Sequence, residues 1–210
     1  MNLYGLIIGI ACVIGIDYFS KNNHIIPKKL ENIFLFGLLV SGVFGARIYH
    51  VIDQWSFYQH NPSLIIQTWH GGLAIYGAII AIGIYIYLFS LIHRISFLKI
   101  LDSITSVLPL CQAIGRFGNF FNHEIPTWWL EASLNLILFF IIRSKKLVNY
   151  TPTSLYLIGY GTIRFFIEFF RNDTWTINNF KIAQLISIIF IFTGLLLNRR
   201  ERIKVAKKHH

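Results

Sequence analysis

The stretch "SITSVLPLCQAIGRFGNFFNHE" (residues 103–124) starts as a run suited to lipid and ends with an arginine, two asparagines, a histidine and a glutamate set among phenylalanines. If its apolar part crosses a bilayer, Arg116 sits five residues from the end of a membrane helix, roughly 8 Å along the axis at about 1.5 Å per residue. A guanidinium at that depth costs about 2.5 to 3.5 kcal/mol unless it is paired, hydrated or reaches the interface. The rest of the chain decides whether the premise holds and what the guanidinium is for.

Composition favours the premise. The 210 residues are 55% hydrophobic and 16% aromatic with only 13% charged, and the mean hydropathy is +0.57. This is greasier than an ordinary soluble domain. A crossing helix needs about 17 to 25 apolar residues. Seven segments qualify: 3–19, 30–52, 69–92, 100–121, 125–142, 153–170 and 181–197, of which the fifth is short and holds Glu131. Backbone polar groups find no water in hydrocarbon, so these segments are expected to be helices. The expected fold is all-α: a polytopic membrane protein forming a single helical domain over 1–198, with a basic cytoplasmic tail at 199–210.

Charge placement supports this partition. The net charge of +10 would raise the question of nucleic acid in a soluble protein, but here the basic residues cluster between apolar spans, and no nucleic-acid partner is expected. Lys21, Lys28 and Lys29 lie in the first loop, Arg94 and Lys99 in the third, and Arg143, Lys145 and Lys146 in the fifth, while the tail holds six more. The second and fourth loops hold none. By the positive-inside rule this alternation places the N-terminus outside and the C-terminus in the cytoplasm. No cleavable leader is read in "MNLYGLIIGIACVIGIDYF", which lacks a basic start and is taken as the first helix. Cys12 and Cys111 fall within apolar spans and are expected to be small hydrophobes, neither nucleophiles nor a disulfide. No H-x-x-x-H or C-x-x-C spacing points to a metal, and no cofactor is expected.

Five basic residues remain: Arg47, Arg116, Arg164, Arg171 and Lys181, all near the outer ends of their spans. For Arg47, reaching up to the interface is an alternative to a site role. On this topology the polar and glycine-rich stretches gather on the outer side: Tyr4-Gly5, "GARIYH" (45–50), "WHGGLAIYG" (69–77), "GRFGNFFNHE" (115–124) and "YGTIRFFIEFFRND" (160–173). Tyr160, Arg164, Glu168 and Arg171 follow at four, four and three, which places them on one helical stripe with Glu168 between two arginines. An internal ion pair that only locks helices is the competing reading. Arg116 and Asn119 are three apart and share a face. Gly71, Gly72 and Gly77 permit close approach, either of a ligand or of a neighbouring helix. Inward arginines match phosphate oxygens with a fixed fork of donors. The abundant anion at this depth is a phospholipid head group.

These stretches resemble a known family. "GRFGNFFNHE" is similar to the G-R-x-G-N-F-x-N-x-E signature of the bacterial phosphatidylglycerol-prolipoprotein diacylglyceryl transferases. Tyr4-Gly5-Leu6, "GVFGARIYHVI", "WHGGLAIYGAIIA", "YGTIRFFIEFFRND" and "IAQLIS" resemble other family segments in the same order. Pro126, Thr127 and Glu131 match a further segment, but only Ile125 separates it from Glu124 where the family inserts a soluble arm.

The resemblance implies transfer of the sn-1,2-diacylglyceryl group of phosphatidylglycerol to the lipobox cysteine of prolipoproteins, with release of glycerol 1-phosphate, in the bacterial cytoplasmic membrane. By motif it implies catalytic roles for Arg116, Arg164, Glu168, Asn119 and Tyr76. It implies substrate contacts for Tyr4, Asn122, Glu124, Tyr160, Arg171, Gly71, Gly72 and Gly77. Membrane lipids and the prolipoprotein signal region are the implied partners. The general base stays open between Tyr76, His70, His123 and none of these. A lipid-binding or lipid-translocating paralogue without chemistry, or a transferase with another acceptor, are the alternatives.

Overall fold

The structure is a computed structural model that describes residues 3–121, 127–144, 150–171, 176–177 and 180–208. Among these residues the regular structure is helical apart from one short hairpin. The helices are α1 (Leu3–Asn22), α2 (Lys28–Asp53), α3 (Trp55–Tyr58), α4 (Ile75–His93), α5 (Phe97–Thr105), α6 (Leu108–Phe121), α7 (Trp128–Arg143), α8 (Pro152–Ile167) and α9 (Ile182–Lys208). Strands β1 (Thr176–Ile177) and β2 (Phe180–Lys181) pair antiparallel, Thr176 opposite Lys181.

Four helices are long and apolar enough to cross a membrane: α1, α2, α4 and residues 182–200 of α9. No more than 22% of the most apolar window of any of them is buried within the protein. Side chains such as Val13, Phe36, Ile79 and Phe192 point outward with more than half their surface exposed. Apolar area left in water costs about 25 cal/mol per Å², so a surface of this kind needs lipid around it. The protein is a multi-pass membrane protein.

The fourth expected span is broken. α5 and α6 meet at an angle of 44°, and they make a fifth candidate span only if the bent pair is taken as one. The cause is Pro109, which carries no backbone N–H and whose ring crowds the carbonyl four residues back, that of Thr105. The Thr105 hydroxyl turns back onto the Leu101 carbonyl at 2.8 Å. The third expected span starts late, because "WHGG" is not α-helical: Thr68–His70 is a 3-10 turn and Gly71 and Gly72 have φ of +91° and +75°. The sixth ends early, since α8 stops at Ile167, Glu168–Phe170 is a 3-10 turn and Arg171 is extended. α7 and α8 have 16 residues each. That is about 24 Å of helix, short of a hydrocarbon core of about 30 Å.

The chain divides into two compact units, residues 1–23 with 101–210, and residues 24–100. In the first, α1 packs on α6, α6 on α7, α7 on α8 and α8 on α9. Its apolar core holds Leu138, Tyr156, Ile163 and Ile167. A Cβ on Gly161 would lie 2.9 Å from the Ser187 carbonyl, and one on Gly194 2.9 Å from the Ser154 carbonyl, so α8 and α9 touch nearly backbone to backbone. An acid from α5 starts α8: Asp102 Oδ1 accepts from the Thr153 backbone N–H at 2.9 Å and from its hydroxyl at 2.6 Å. In the second unit α2 packs along α4, with Phe34 fully buried between Tyr85 and Phe89.

Candidate active site

Within the unit of residues 1–23 and 101–210, the packing of α6 on α7 and of α7 on α8 brings three charged side chains together. Arg116, near the end of α6, donates from Nη2 to Glu131 Oε1 at 2.5 Å and from Nη1 to Asn119 Oδ1 at 3.3 Å. Arg164 of α8 places Nη1 3.6 Å from that same Glu131 oxygen and donates from Nη2 to Glu168 Oε2 at 2.9 Å. One carboxylate oxygen thus serves two guanidinium groups from different helices. Glu131 and Glu168 are buried, at 0% and 1% exposure, while the two arginine side chains retain 22% and 16%. Among the described residues these bonds use fewer than the five N–H donors of each guanidinium, so both keep donors for an anion. A buried carboxylate stripped of its partners costs about 3 to 5 kcal/mol, which makes each of the four groups hold the others in place.

The surroundings are aromatic and polar. The Tyr4 ring lies across Gly118, where an added Cβ would come within 2.8 Å of the ring, so α1 approaches α6 two residues from Arg116 because position 118 has no side chain. Asn119 is buried. Tyr160 stacks on Tyr156 with ring centres 5.4 Å apart and planes 6° from parallel, and Gln112 Nε2 donates to the Tyr156 hydroxyl at 2.8 Å. Lys181 Nζ donates to the carbonyls of Glu168 and Arg171 at 2.6 and 2.5 Å, closing the open end of α8. Arg171 itself is half-buried, and the four-four-three stripe breaks before it because the backbone is extended there.

The glycine-rich predictions fall in the unit of residues 24–100. Arg47 does not reach for the interface: it is 8% exposed and donates to the carbonyls of Leu64, Ile65, Gln67, Gly71 and Gly72 at 2.5 to 3.4 Å. Its guanidinium lies over the Tyr58 ring at 5.2 Å. The positive φ of Gly71 and Gly72 turns their carbonyls onto this one donor fork, and a Cβ on Gly72 would meet the Arg47 and His50 side chains at 2.6 Å. Gly77 serves the helix crossing, since a Cβ there would strike the Gly45 carbonyl and the Tyr49 side chain. Tyr76 is 45% exposed, with the Tyr49 ring 6.4 Å away.

Asn122, Glu124 and His123 lie outside the described residues, as does the side chain of His70. Gln112 and Tyr156 were not singled out from the sequence, and Glu131 and Lys181 were noted there without a site role. For Glu131 a signal exists: a carboxylate inside an apolar segment has to be paired. Its partners lie 15 and 33 residues away along the chain, beyond the reach of any helical periodicity.

Comparison with known proteins bears on the arrangement. The family model for prolipoprotein diacylglyceryl transferase matches residues 1–128 and 125–199. A phosphatidylglycerol-prolipoprotein diacylglyceryl transferase of Clostridium novyi is 36% identical over 236 aligned positions, covering 96% of this chain and 91% of that protein. The corresponding protein of Finegoldia magna is 33% identical over 97% of this chain and 92% of its own length, and that of Fervidobacterium nodosum is 37% identical over 80% and 69%. An alignment of 236 positions exceeds the 210 residues present, so the Clostridium protein carries internal residues that have no counterpart here. The two matched stretches of the family model overlap at residues 125–128. With near-complete coverage by the family model and by relatives above 30% identity, this chain belongs to the prolipoprotein diacylglyceryl transferase family.

Proposed function

We propose that this protein transfers the sn-1,2-diacylglyceryl group of phosphatidylglycerol to the cysteine thiol of a prolipoprotein lipobox and releases glycerol 1-phosphate. The observation that carries the reading is the convergence of Arg116 and Arg164 on one oxygen of the buried Glu131. In the reaction the substrate sulfur attacks the glyceryl carbon bonded to the phosphate oxygen. The carbon–sulfur bond forms as the carbon–oxygen bond breaks, the departing phosphate ester keeps the electron pair, and the thiol proton is lost. Negative charge grows on the departing phosphate. Guanidinium donors fixed in advance, in a site that excludes water, stabilise that charge without reorganising. Glu131 and Glu168 do the fixing, and Asn119 holds the Arg116 fork from its other side. Removing a donor of this type costs about 100- to 1,000-fold in rate.

The nucleophile belongs to the acceptor, which agrees with the packing of both cysteines here: Cys12 faces outward and Cys111 Sγ fills the space over Gly15. The acceptor thiol has a reference pKa of about 8.5, so the positive groups also favour the thiolate. Of the residues weighed as proton acceptor, His123 follows Arg116 on the same stretch of chain and Tyr76 and His70 belong to residues 24–100; a reaction in which none of the three takes the proton is the alternative. Tyr4, Tyr160, Arg171, Asn122 and Glu124 complete the proposed lipid contacts, while the carbonyls of Gly71 and Gly72 are turned onto Arg47 and Gly77 serves a helix crossing. The topology that goes with this reading has seven spans, with the N-terminus outside and the tail in the cytoplasm of a bacterium.

The test is mass spectrometry of a lipobox peptide incubated with purified protein and phosphatidylglycerol. The expected result is a thioether-linked diacylglyceryl peptide and free glycerol phosphate, both lost in Arg116→Ala. Glycerol phosphate without modified peptide would assign another acceptor. Bound but intact lipid would assign a lipid-binding paralogue.

A further inference from the structure

One helical turn from the arginine pair, away from the α6 terminus, the same three helices present a second polar layer. On α6 Gln112 precedes Arg116 by four, on α7 Asn135 follows Glu131 by four, and on α8 Tyr160 precedes Arg164 by four. Four residues is one turn, so each pair shares a helix face. Asn135 and Glu131 are both 0% exposed. Asn135 spends its amide on the Glu131 carbonyl at 2.9 Å, and Gln112 spends its amide on the Tyr156 hydroxyl. This leaves three buried acceptor oxygens without a donor among the described residues: Glu131 Oε2, Asn135 Oδ1 and Gln112 Oε1.

Buried acceptors left unmade cost about 1 to 3 kcal/mol each, and native proteins rarely leave several of them together. These three oxygens are acceptors, and the one other unpartnered buried atom described on these helices is the Thr127 hydroxyl one turn before Glu131, so the group that completes them carries hydroxyl protons and can also accept one. An ammonium group would also donate, but it would enter beside two guanidinium charges. A neutral group with more than one hydroxyl fits the charge and the count.

From this we infer that Glu131, Asn135 and Gln112 form a hydroxyl-accepting subsite beside the arginine pair, which reads the free hydroxyls of the lipid head group while Arg116 and Arg164 hold its phosphate. This rests on the proposed use of phosphatidylglycerol and deepens it: head-group selectivity lies in unpaired acceptors, the phosphate contact being common to all anionic lipids. A site built to accept hydroxyl protons rejects an analogue lacking them, because its polar groups then stay unpaired.

The experiment compares phosphatidylglycerol with phosphatidylethanol, which keeps the diacylglyceryl phosphate and the charge but has no head-group hydroxyl. With full-length protein and a lipobox peptide, the kcat/KM ratio of the two donors is expected to favour phosphatidylglycerol by at least about tenfold. In Gln112→Met and Asn135→Leu that ratio falls to within about threefold of unity, through a larger loss on phosphatidylglycerol than on phosphatidylethanol. Competition of the two lipids for binding to the purified protein reads the same ratio without turnover, so failure of the transferase reading leaves this inference testable. Equal handling of the two lipids by the unaltered protein, in turnover and in binding, overturns it, and that arm needs no variant to fold. A preference that persists unchanged in both variants also overturns it and assigns the three acceptors to ordered water.

Discussion

Glu131 is the residue on which the cluster turns, since it neutralises two guanidinium groups that would otherwise repel each other between α6 and α8. Replacing it with glutamine keeps the shape and removes the charge. The expected cost is about 3 to 5 kcal/mol, seen as a lower midpoint of thermal unfolding in detergent, and Glu131→Asp should recover only part of it. Arg164 bridges two carboxylates with a planar fork that lysine cannot reproduce, so Arg164→Lys should lower peptide lipidation by about 100-fold while the protein still binds phospholipid. Arg47 is a different kind of arginine: its donors are taken up by five carbonyls, and its work is to hold residues 64–72. Limited proteolysis should therefore cut Arg47→Lys in that segment much faster than the unaltered protein.

Among the helices, the informative features are starts, breaks and crossings. Asp102 caps α8 from another element and satisfies the Thr153 N–H, so Asp102→Ala should cost about 1 to 2 kcal/mol, read by the same thermal midpoint. The crossing of α2 and α4 at Gly45 and Gly77 leaves no room for a side chain. Gly77→Val should therefore reduce folded protein recovered from membranes, whereas Gly83→Ala, with open space around it, should not. The bend at Pro109 matters because it breaks the fourth segment two turns before Arg116. It lets α6 leave the line of α5 and carry Gln112, Arg116 and Asn119 on the face toward α7.

At the scale of the whole molecule, the charge alternation predicts which ends face which side. A reporter active only in the cytoplasm should work when fused after residue 208 and fail when fused ahead of α1, and the reverse pattern would reject the proposed topology. The family model breaks into two matches that overlap at 125–128, and the alignment with the Clostridium novyi protein is longer than this chain, which makes this chain a compact member of its family.

Apolar runs, the placement of lysines and arginines, and the ordered motifs were enough to establish a multi-pass helical membrane protein and its family, because insertion into lipid depends on stretches of chain that are contiguous in sequence. Local spacing also placed Arg116 beside Asn119 and Arg164 beside Glu168, each pair being within one turn. Tertiary structure alone decided that Glu131 joins the two arginines, that Arg47 serves a loop and that Gly77 serves a helix crossing. Those relations link positions 15 to 33 residues apart. Such separations carry no helical period, and only the packing of one helix against another brings them within bonding distance.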